Sequence, residues 1–204
     1  MIPAIGLLLA YLAGSIPAAY IAGRSLRGID LREHGSGNLG ATNVMRVMGP
    51  KIGAVVLLFD ALKGAIPVIV LPILFGVQDT AWWAIGYGVA AIVGHVRPIF
   101  LLGRGGGKGV ATAAGVFAAL APVPLLISAV VFLAVVLASG YVSLGSLVSA
   151  AVFPLAVIVI AAGLTPVALA GLAMAAFVFW THRANIGRLR RGEEHRFGRR
   201  RPAT

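Results

Sequence analysis

Twenty-nine consecutive residues, 110–138, carry no charged side chain, and this run limits the fold more than any other feature of the chain. A helix crossing the hydrocarbon core of a bilayer needs about 20 apolar residues. Other runs resemble it. Residues 1–22 hold no charge, 52–76 are interrupted only by Asp60 and Lys63, and 81–101, 142–162 and 166–182 are again apolar. Hydrocarbon offers the backbone no hydrogen-bond partner, so such runs are read as helices. The expected fold class is therefore all-α, a polytopic integral membrane protein. Composition closes off the alternatives. Hydrophobic residues make up 59% of the chain and charged residues 11%, against about 25% charged in soluble domains. That apolarity excludes disorder. The absence of cysteine excludes a disulfide scaffold, a thioester intermediate and a thiolate metal site. The 204 residues leave no room for a separate soluble domain.

Residues 1–22 lack the early Lys or Arg of a signal peptide and read as the first span. Pro122 and Pro124 cannot continue a helix, so the 110–138 run divides into a short helix before them and another after. About seven transmembrane helices result. The cations test that number. Of 17 Lys and Arg, five lie between Arg24 and Lys51, three between Arg97 and Lys108, and eight from Arg183 onward. The turns near 77–80, 122–124 and 163–165 hold none. Basic loops mark the cytoplasmic side. An odd count with the N-terminus outside and the C-terminus cytoplasmic puts all three basic segments inside. Trp82, Trp83 and Tyr87 then fall near the outer interface, and Trp180 near the inner one. Residues 1–187 are expected to form a single transmembrane domain. Residues 188–204 form a basic cytoplasmic tail, partly disordered and in contact with anionic lipid. No aromatic and basic platform accompanies that tail, so no nucleic-acid partner is expected.

Three polar clusters interrupt the apolar pattern. The first is His34-Gly35-Ser36-Gly37-Asn38-Leu39-Gly40-Ala41-Thr42-Asn43-Val44-Met45-Arg46. Its glycines can aim backbone N–H groups at an anion. If a helix starts at Ala41, Thr42 and Arg46 share a face. Two readings stay open, an anion site at a helix start and a flexible loop using Gly and Asn as turn residues. The second cluster is Gly103-Arg104-Gly105-Gly106-Gly107-Lys108-Gly109-Val110-Ala111-Thr112. It departs from a P-loop because Gly109 stands where Ser or Thr must follow Lys. Four glycines around one lysine exceed what a topology signal requires, and phosphate binding is the favoured reading. In the third cluster, His182 and Asn185 share a face at the end of the last span, with Arg183 and Arg188 nearby. Cations at a helix C-terminus account for the arginines but not for His182 and Asn185.

Asp60 and Lys63, at i,i+3 within a span, read either as a mutual ion pair or as functional groups. His95 could orient the lysine loop or satisfy a backbone carbonyl. Tyr141, Ser143 and Ser146 line another inner turn, as cavity hydroxyls or as helix caps. Cations, glycine backbone and hydroxyls with few carboxylates suit a phosphate, perhaps two. They suit a divalent metal poorly, and no metal site and no cofactor are expected.

The three clusters in this order resemble the bacterial acyl-phosphate:glycerol-3-phosphate acyltransferase family (PlsY). Carrying the resemblance are Gly35-Ser36-Gly37-Asn38 with Gly40-Ala41-Thr42-Asn43 and Arg46, then Gly94-His95 with Gly106-Gly107-Lys108-Gly109-Val110-Ala111, and finally His182, Asn185, Ile186, Arg188 and Leu189 with Gly192 and Glu194. It runs from Gly14-Ser15-Ile16-Pro17 to Glu194. Arg190 stands where the family often has an apolar residue. The resemblance implies transfer of an acyl group from long-chain acyl phosphate to the sn-1 hydroxyl of glycerol 3-phosphate, giving 1-acylglycerol 3-phosphate (lysophosphatidic acid) and phosphate in phospholipid biosynthesis. It implies a seven-span fold in the bacterial plasma membrane, a cytoplasmic site, and a soluble phosphate acyltransferase that supplies the donor. Ser36, Arg46, Lys108, His182 and Asn185 would bind glycerol 3-phosphate. Thr42, Gly106, Gly107, Gly109, Lys108 and a serine, Ser146 in preference to Ser143, would hold the acyl phosphate. Asn38 and Asn43 belong to the same binding set, and Lys108, His182 and Asn185 to the catalytic one. An activated donor needs no covalent acyl-enzyme. The soluble glycerolipid acyltransferase pattern, Asp five residues after His, is absent: those positions are Leu39, Phe100, Gly187 and Arg200. Two rival classes make different demands. An anion transporter needs a basic path open to both faces, which the outer turns lack, and a lipid-binding scaffold would release no phosphate.

Overall fold

The computed structural model describes residues 2–77 and 80–197. Among these there is no strand, in keeping with the expected all-helical architecture. Ten α-helices follow one another: α1 Ile2–Ser15, α2 Ala18–Arg27, α3 Ala41–Met48, α4 Pro50–Leu74, α5 Thr80–Val96, α6 Val110–Leu120, α7 Pro122–Ser139, α8 Val142–Ile160, α9 Pro166–Thr181 and α10 Arg183–Arg190. Five segments are long and apolar enough to cross a membrane: Pro3–Arg27, Pro50–Leu74, Ala81–Leu101, Pro122–Ser139 and Val142–Ile160. The pair α9 and α10, bent by 59°, makes a sixth if it counts as one span. The short helix expected before Pro122 is there as α6, but its 11 residues rise only about 16 Å, half of a hydrocarbon core of about 30 Å. Its length is set at both ends, by Gly109 at φ +82° and by the proline pair that opens α7.

Local chemistry explains the other boundaries. Pro17 breaks the first span between α1 and α2, and helix then continues beyond the expected end at residue 22. Arg24 and Arg27 sit in its last turn, where cations favour the dipole, and Gly28 closes it in the left-handed region. Pro98 ends α5 before a 3₁₀ turn at Ile99–Leu101. Thr165 caps α9 by accepting a hydrogen bond from Ala168 N at 3.2 Å.

Two compact units make up the chain, Met1–Leu120 and Ala121–Thr204. In the first, glycines let helices approach closely, as small residues do between helices in lipid. A Cβ on Gly14 would strike the Ala91 carbonyl, and one on Gly94 the Tyr11 carbonyl, which locks α1 onto α5. Gly64 against Thr112 and Gly115 against Ala61 lock α4 onto α6 in the same way. Tyr87, expected at the outer interface, is instead fully buried, and its hydroxyl donates to Pro3 O at 3.1 Å. Trp82 is exposed. Large apolar side chains face outward, Ile73 at 78% exposure among them, as lipid contact demands. In the second unit Leu137 and Val159 are likewise outward. There residues 188–197 of the basic tail are folded. Phe197 N donates to Gly140 O at 2.7 Å, and the Arg196 guanidinium stacks over Tyr141 at 5.2 Å. The remainder of the tail, 198–204, lies outside the described residues.

Candidate active site

In the first unit, the chain between α2 and α3 is organised by a single carboxylate. Asp30, 4% exposed, accepts from the Arg32 backbone N at 3.0 Å, from Arg32 Nη2 at 2.6 Å and from Arg24 Nη2 at 3.2 Å. The Arg32 hydrogen bonds outweigh burial and hold the Asp30 carboxyl well below the usual carboxylate range. Both guanidinium groups also stack on Tyr20, at 5.6 and 5.1 Å. Asn43, expected among the binding residues, commits its amide to the loop. Its Oδ1 accepts from Ser36 N at 2.8 Å, and its Nδ2 donates to His34 O at 3.0 Å and Leu31 O at 3.3 Å. A buried side chain thus fixes the turn that presents Ser36, which is exposed, and Asn38, which is half-buried. Thr42 and Arg46 lie one turn apart on α3, as the spacing predicts.

The lysine loop, 103–109, lies against the end of α5. Gly107 N donates to His95 O at 3.3 Å. A Cβ on Gly106 would strike the carbonyls of His95 and Val96, and a Cβ on Gly107 would strike the His95 imidazole at Nε2. Gly109 serves a different need, a left-handed turn into α6. Lys108 is therefore carried by backbone packed so closely on the end of α5 that a larger residue at 106 or 107 would force a shift, at the start of a helix whose N–H groups attract anions. The two loops are neighbours. A Cβ on Gly105 would approach Arg32 Cδ to 2.6 Å, so the residue bound to Asp30 also packs on the lysine loop.

Within the second unit, α9 and α10 meet at His182. This residue is 4% exposed, and its Nδ1 lies 2.9 Å from Val178 O. A carbonyl only accepts, so Nδ1 carries the hydrogen, and in the neutral ring Nε2 is the acceptor. One turn on, Asn185 Nδ2 donates to Glu194 Oε1 and Arg188 Nε donates to Glu194 Oε2, both at 2.6 Å. Glu194 is thus a clasp that draws the tail onto α10. Burial would raise its carboxyl, but the hydrogen bonds from Asn185 and Arg188, with Ser143 nearby, outweigh it and lower the group below its ordinary value. Ser143 Oγ is buried with no aligned hydrogen-bond partner, whereas Ser146 Oγ donates to Val142 O at 3.0 Å. The sequence assigns Asp30 no role, and Glu194 enters it only as a motif residue without a function. The signal for both was sparse acid among arginines, Asp30 beside Arg32 and Glu194 six residues after Arg188.

Among the described residues no three His, Cys, Asp or Glu stand together as metal ligands. The first unit brings Ser36, Asn38, Thr42, Asn43 and Arg46 together on one loop and helix, with Gly106, Gly107, Lys108 and Gly109 on the adjoining loop. The second unit brings Ser143 and Asn185 to the surroundings of the Glu194 carboxylate, with His182 one turn before Asn185.

Comparison with known proteins gives a consistent result. The family model for glycerol-3-phosphate acyltransferase matches residues 4–192. A glycerol-3-phosphate acyltransferase of Myxococcus xanthus is 50% identical over 192 residues, covering 93% of this chain and 97% of that one. A glycerol-3-phosphate acyltransferase 2 of Bacillus cereus is 47% identical over 182 residues, 89% of this chain and 88% of its own. The crystal structure of PlsY, an integral membrane glycerol 3-phosphate acyltransferase, in its glycerol 3-phosphate form superposes with a TM-score of 0.88 at 40% identity, covering 96% of each chain. Its lysophosphatidic acid form gives 0.84 at 39% identity, covering 96% of this chain and 95% of that one.

Proposed function

The chain belongs to the glycerol-3-phosphate acyltransferase family, and from that premise we propose that it moves a fatty acyl group from a long-chain acyl phosphate to the sn-1 hydroxyl of glycerol 3-phosphate. The observation that carries this reading is the cradle at 106–109. Glycines packed too closely on the end of α5 to accept a side chain without displacement present Lys108 beside a second loop suited to anions. Two phosphate-bearing substrates account for two such receptors. In the proposed reaction the acceptor oxygen bonds to the acyl carbon, the bond from that carbon to the phosphate oxygen breaks, and the acceptor proton leaves with the phosphate. No acyl-enzyme forms.

The residues take the following roles. Ser36, Arg46, Lys108, His182 and Asn185 hold glycerol 3-phosphate. Thr42, Gly106, Gly107, Gly109 and Lys108 hold the acyl phosphate and stabilise charge on the carbonyl oxygen. Of the two serines, Ser143 is the better hydrogen-bond donor to the phosphate, because Ser146 already donates to Val142 O. Asn43 acts through the loop it clamps, and Asn38 supports the same loop. The donor's phosphate serves as base, and His182 orients the acceptor hydroxyl through Nε2. H182A should then keep measurable turnover at saturating substrate. Complete loss of turnover with binding intact would make His182 the base.

The basic segments support a site on the cytoplasmic side of a bacterial plasma membrane, with cations of the basic tail near anionic lipid and a soluble phosphate acyltransferase as the source of donor. Purified protein supplied with palmitoyl phosphate and glycerol 3-phosphate should release phosphate and 1-palmitoylglycerol 3-phosphate. Acylation from palmitoyl-CoA but not from palmitoyl phosphate would defeat the donor assignment, and no product from either would defeat the enzyme reading.

A further inference from the structure

Three ionisable residues stand buried beneath the lysine loop, outside the roles assigned above. Asp60 and Lys63 of α4 are 1% and 6% exposed, and His95 of α5 is 7% exposed. Lys63 Nζ lies 2.7 Å from Asp60 Oδ1 and donates to Ile16 O at 2.9 Å. That carbonyl belongs to the break before Pro17, where the helix supplies less of its own hydrogen bonding. His95 Nδ1 lies 3.5 Å from the same Asp60 oxygen, outside hydrogen-bond alignment. A space of about 10 Å³ is lined by these groups together with Ser15, Gly106 and Gly107, enough for one water.

A mutual ion pair accounts for Asp60 and Lys63 but not for His95. An imidazole is a costly filler for an apolar site, and Leu or Phe would fill it without a polar atom to satisfy. This one has a directional environment. One ring nitrogen faces the Asp60 carboxylate, and the opposite edge occupies the space that a side chain at position 107 would need. The backbone of the same residue accepts from Gly107 N. The lysine loop therefore meets His95 twice, at its carbonyl and at its ring.

We propose that Asp60 and His95 form a positioning device for the lysine loop: the carboxylate fixes the imidazole as a wedge under Gly107, and the wedge sets where the backbone at Gly106 and Gly107, the part of the loop assigned to the donor alone, meets the donor phosphate. Lys63 pairs with the carboxylate and ties it to the break between α1 and α2. Neither Asp60 nor His95 touches substrate. The proposal rests on the reading of 106–109 as the acyl-phosphate cradle.

Two measurements on the purified full-length protein test it. In H95Q and in D60N, KM for palmitoyl phosphate should rise about tenfold, while kcat and KM for glycerol 3-phosphate stay within about threefold. The double variant D60N/H95Q should be no worse than the poorer single one, because both act through one contact. Equal changes in both KM values, or additive losses, would overturn the proposal. Should D60N not fold because Lys63 is left unpaired, D60N/K63M removes both charges together, and the same donor-specific shift is expected; a folded variant with unchanged donor KM overturns the proposal. The second measurement is hydrogen exchange, which needs no activity. Amides of 105–109 should exchange faster in H95Q than in the parent, with 34–43 unchanged, and unchanged exchange at 105–109 contradicts the wedge. A parent protein that releases no phosphate would defeat the cradle reading, while the exchange result would still decide the wedge.

Discussion

The 103–109 loop and the bend at His182 hold their polar groups by opposite means. In the loop, shape does the holding. Gly106 and Gly107 lie so close to the end of α5 that a single methyl group at either position meets protein. At the bend, a charge does it. Glu194 joins Asn185 and Arg188 through two hydrogen bonds of 2.6 Å, and the tail follows. Close packing of this kind is buried away from salt. A carboxylate clasp is strong but can be opened by a proton. The lysine loop should therefore fail when crowded, and the bend when its charge is removed.

The largest effect is expected from the cation that the loop exists to present. K108M should lower kcat/KM about 10³-fold, measured by phosphate release. Crowding comes next. In G107A the added methyl must displace the imidazole, and kcat/KM should fall about 100-fold, mainly through KM for the donor. A G107A variant as active as the parent would remove shape as the principle of the loop.

Third is E194Q, with an expected loss of about tenfold in kcat/KM, as for other residues that orient a functional group. The acid behaviour separates this region from the loop. The folded state holds the Glu194 carboxyl below its ordinary value, about 4.3 for a free glutamate. Its stabilisation is complete above that value and is lost as pH falls through the lower, folded value. The melting temperature of the parent should therefore drop on acidification below about pH 4, and E194Q should be less stable at neutral pH with a shallower acid slope. Parallel slopes would mean that the clasp is not what acid opens. The smallest effects concern the two serines. S143A should cost about fivefold and S146A less than about twofold, because only Ser146 Oγ is engaged with its own helix.

The sequence exposes the apolar helices because lipid enforces long uncharged runs, and the break at Pro122 follows from a missing N–H. It exposes the lysine loop because four glycines around a lysine have few other uses. What it hides is what faces inward. Tyr87 looks like an interfacial aromatic, since pattern alone does not tell a lipid-facing side of α5 from the side that meets α1. Asn43 sits among the binding residues by motif, yet its amide is consumed by the loop, a fact of three-dimensional hydrogen bonding. Glu194 lies nine residues beyond Asn185, outside any helical spacing that would pair them. The 11 residues of α6 follow from a proline and a positive-φ glycine acting at opposite ends, while charge-free sequence continues past the proline.

Both regions serve one claim, that the two phosphates are bound at once and the acyl group passes directly between substrates. Initial rates measured over a grid of palmitoyl phosphate and glycerol 3-phosphate concentrations test it most directly. The account predicts double-reciprocal lines that intersect, as a ternary complex requires. Parallel lines, the mark of a covalent acyl-enzyme formed before the acceptor binds, would contradict it.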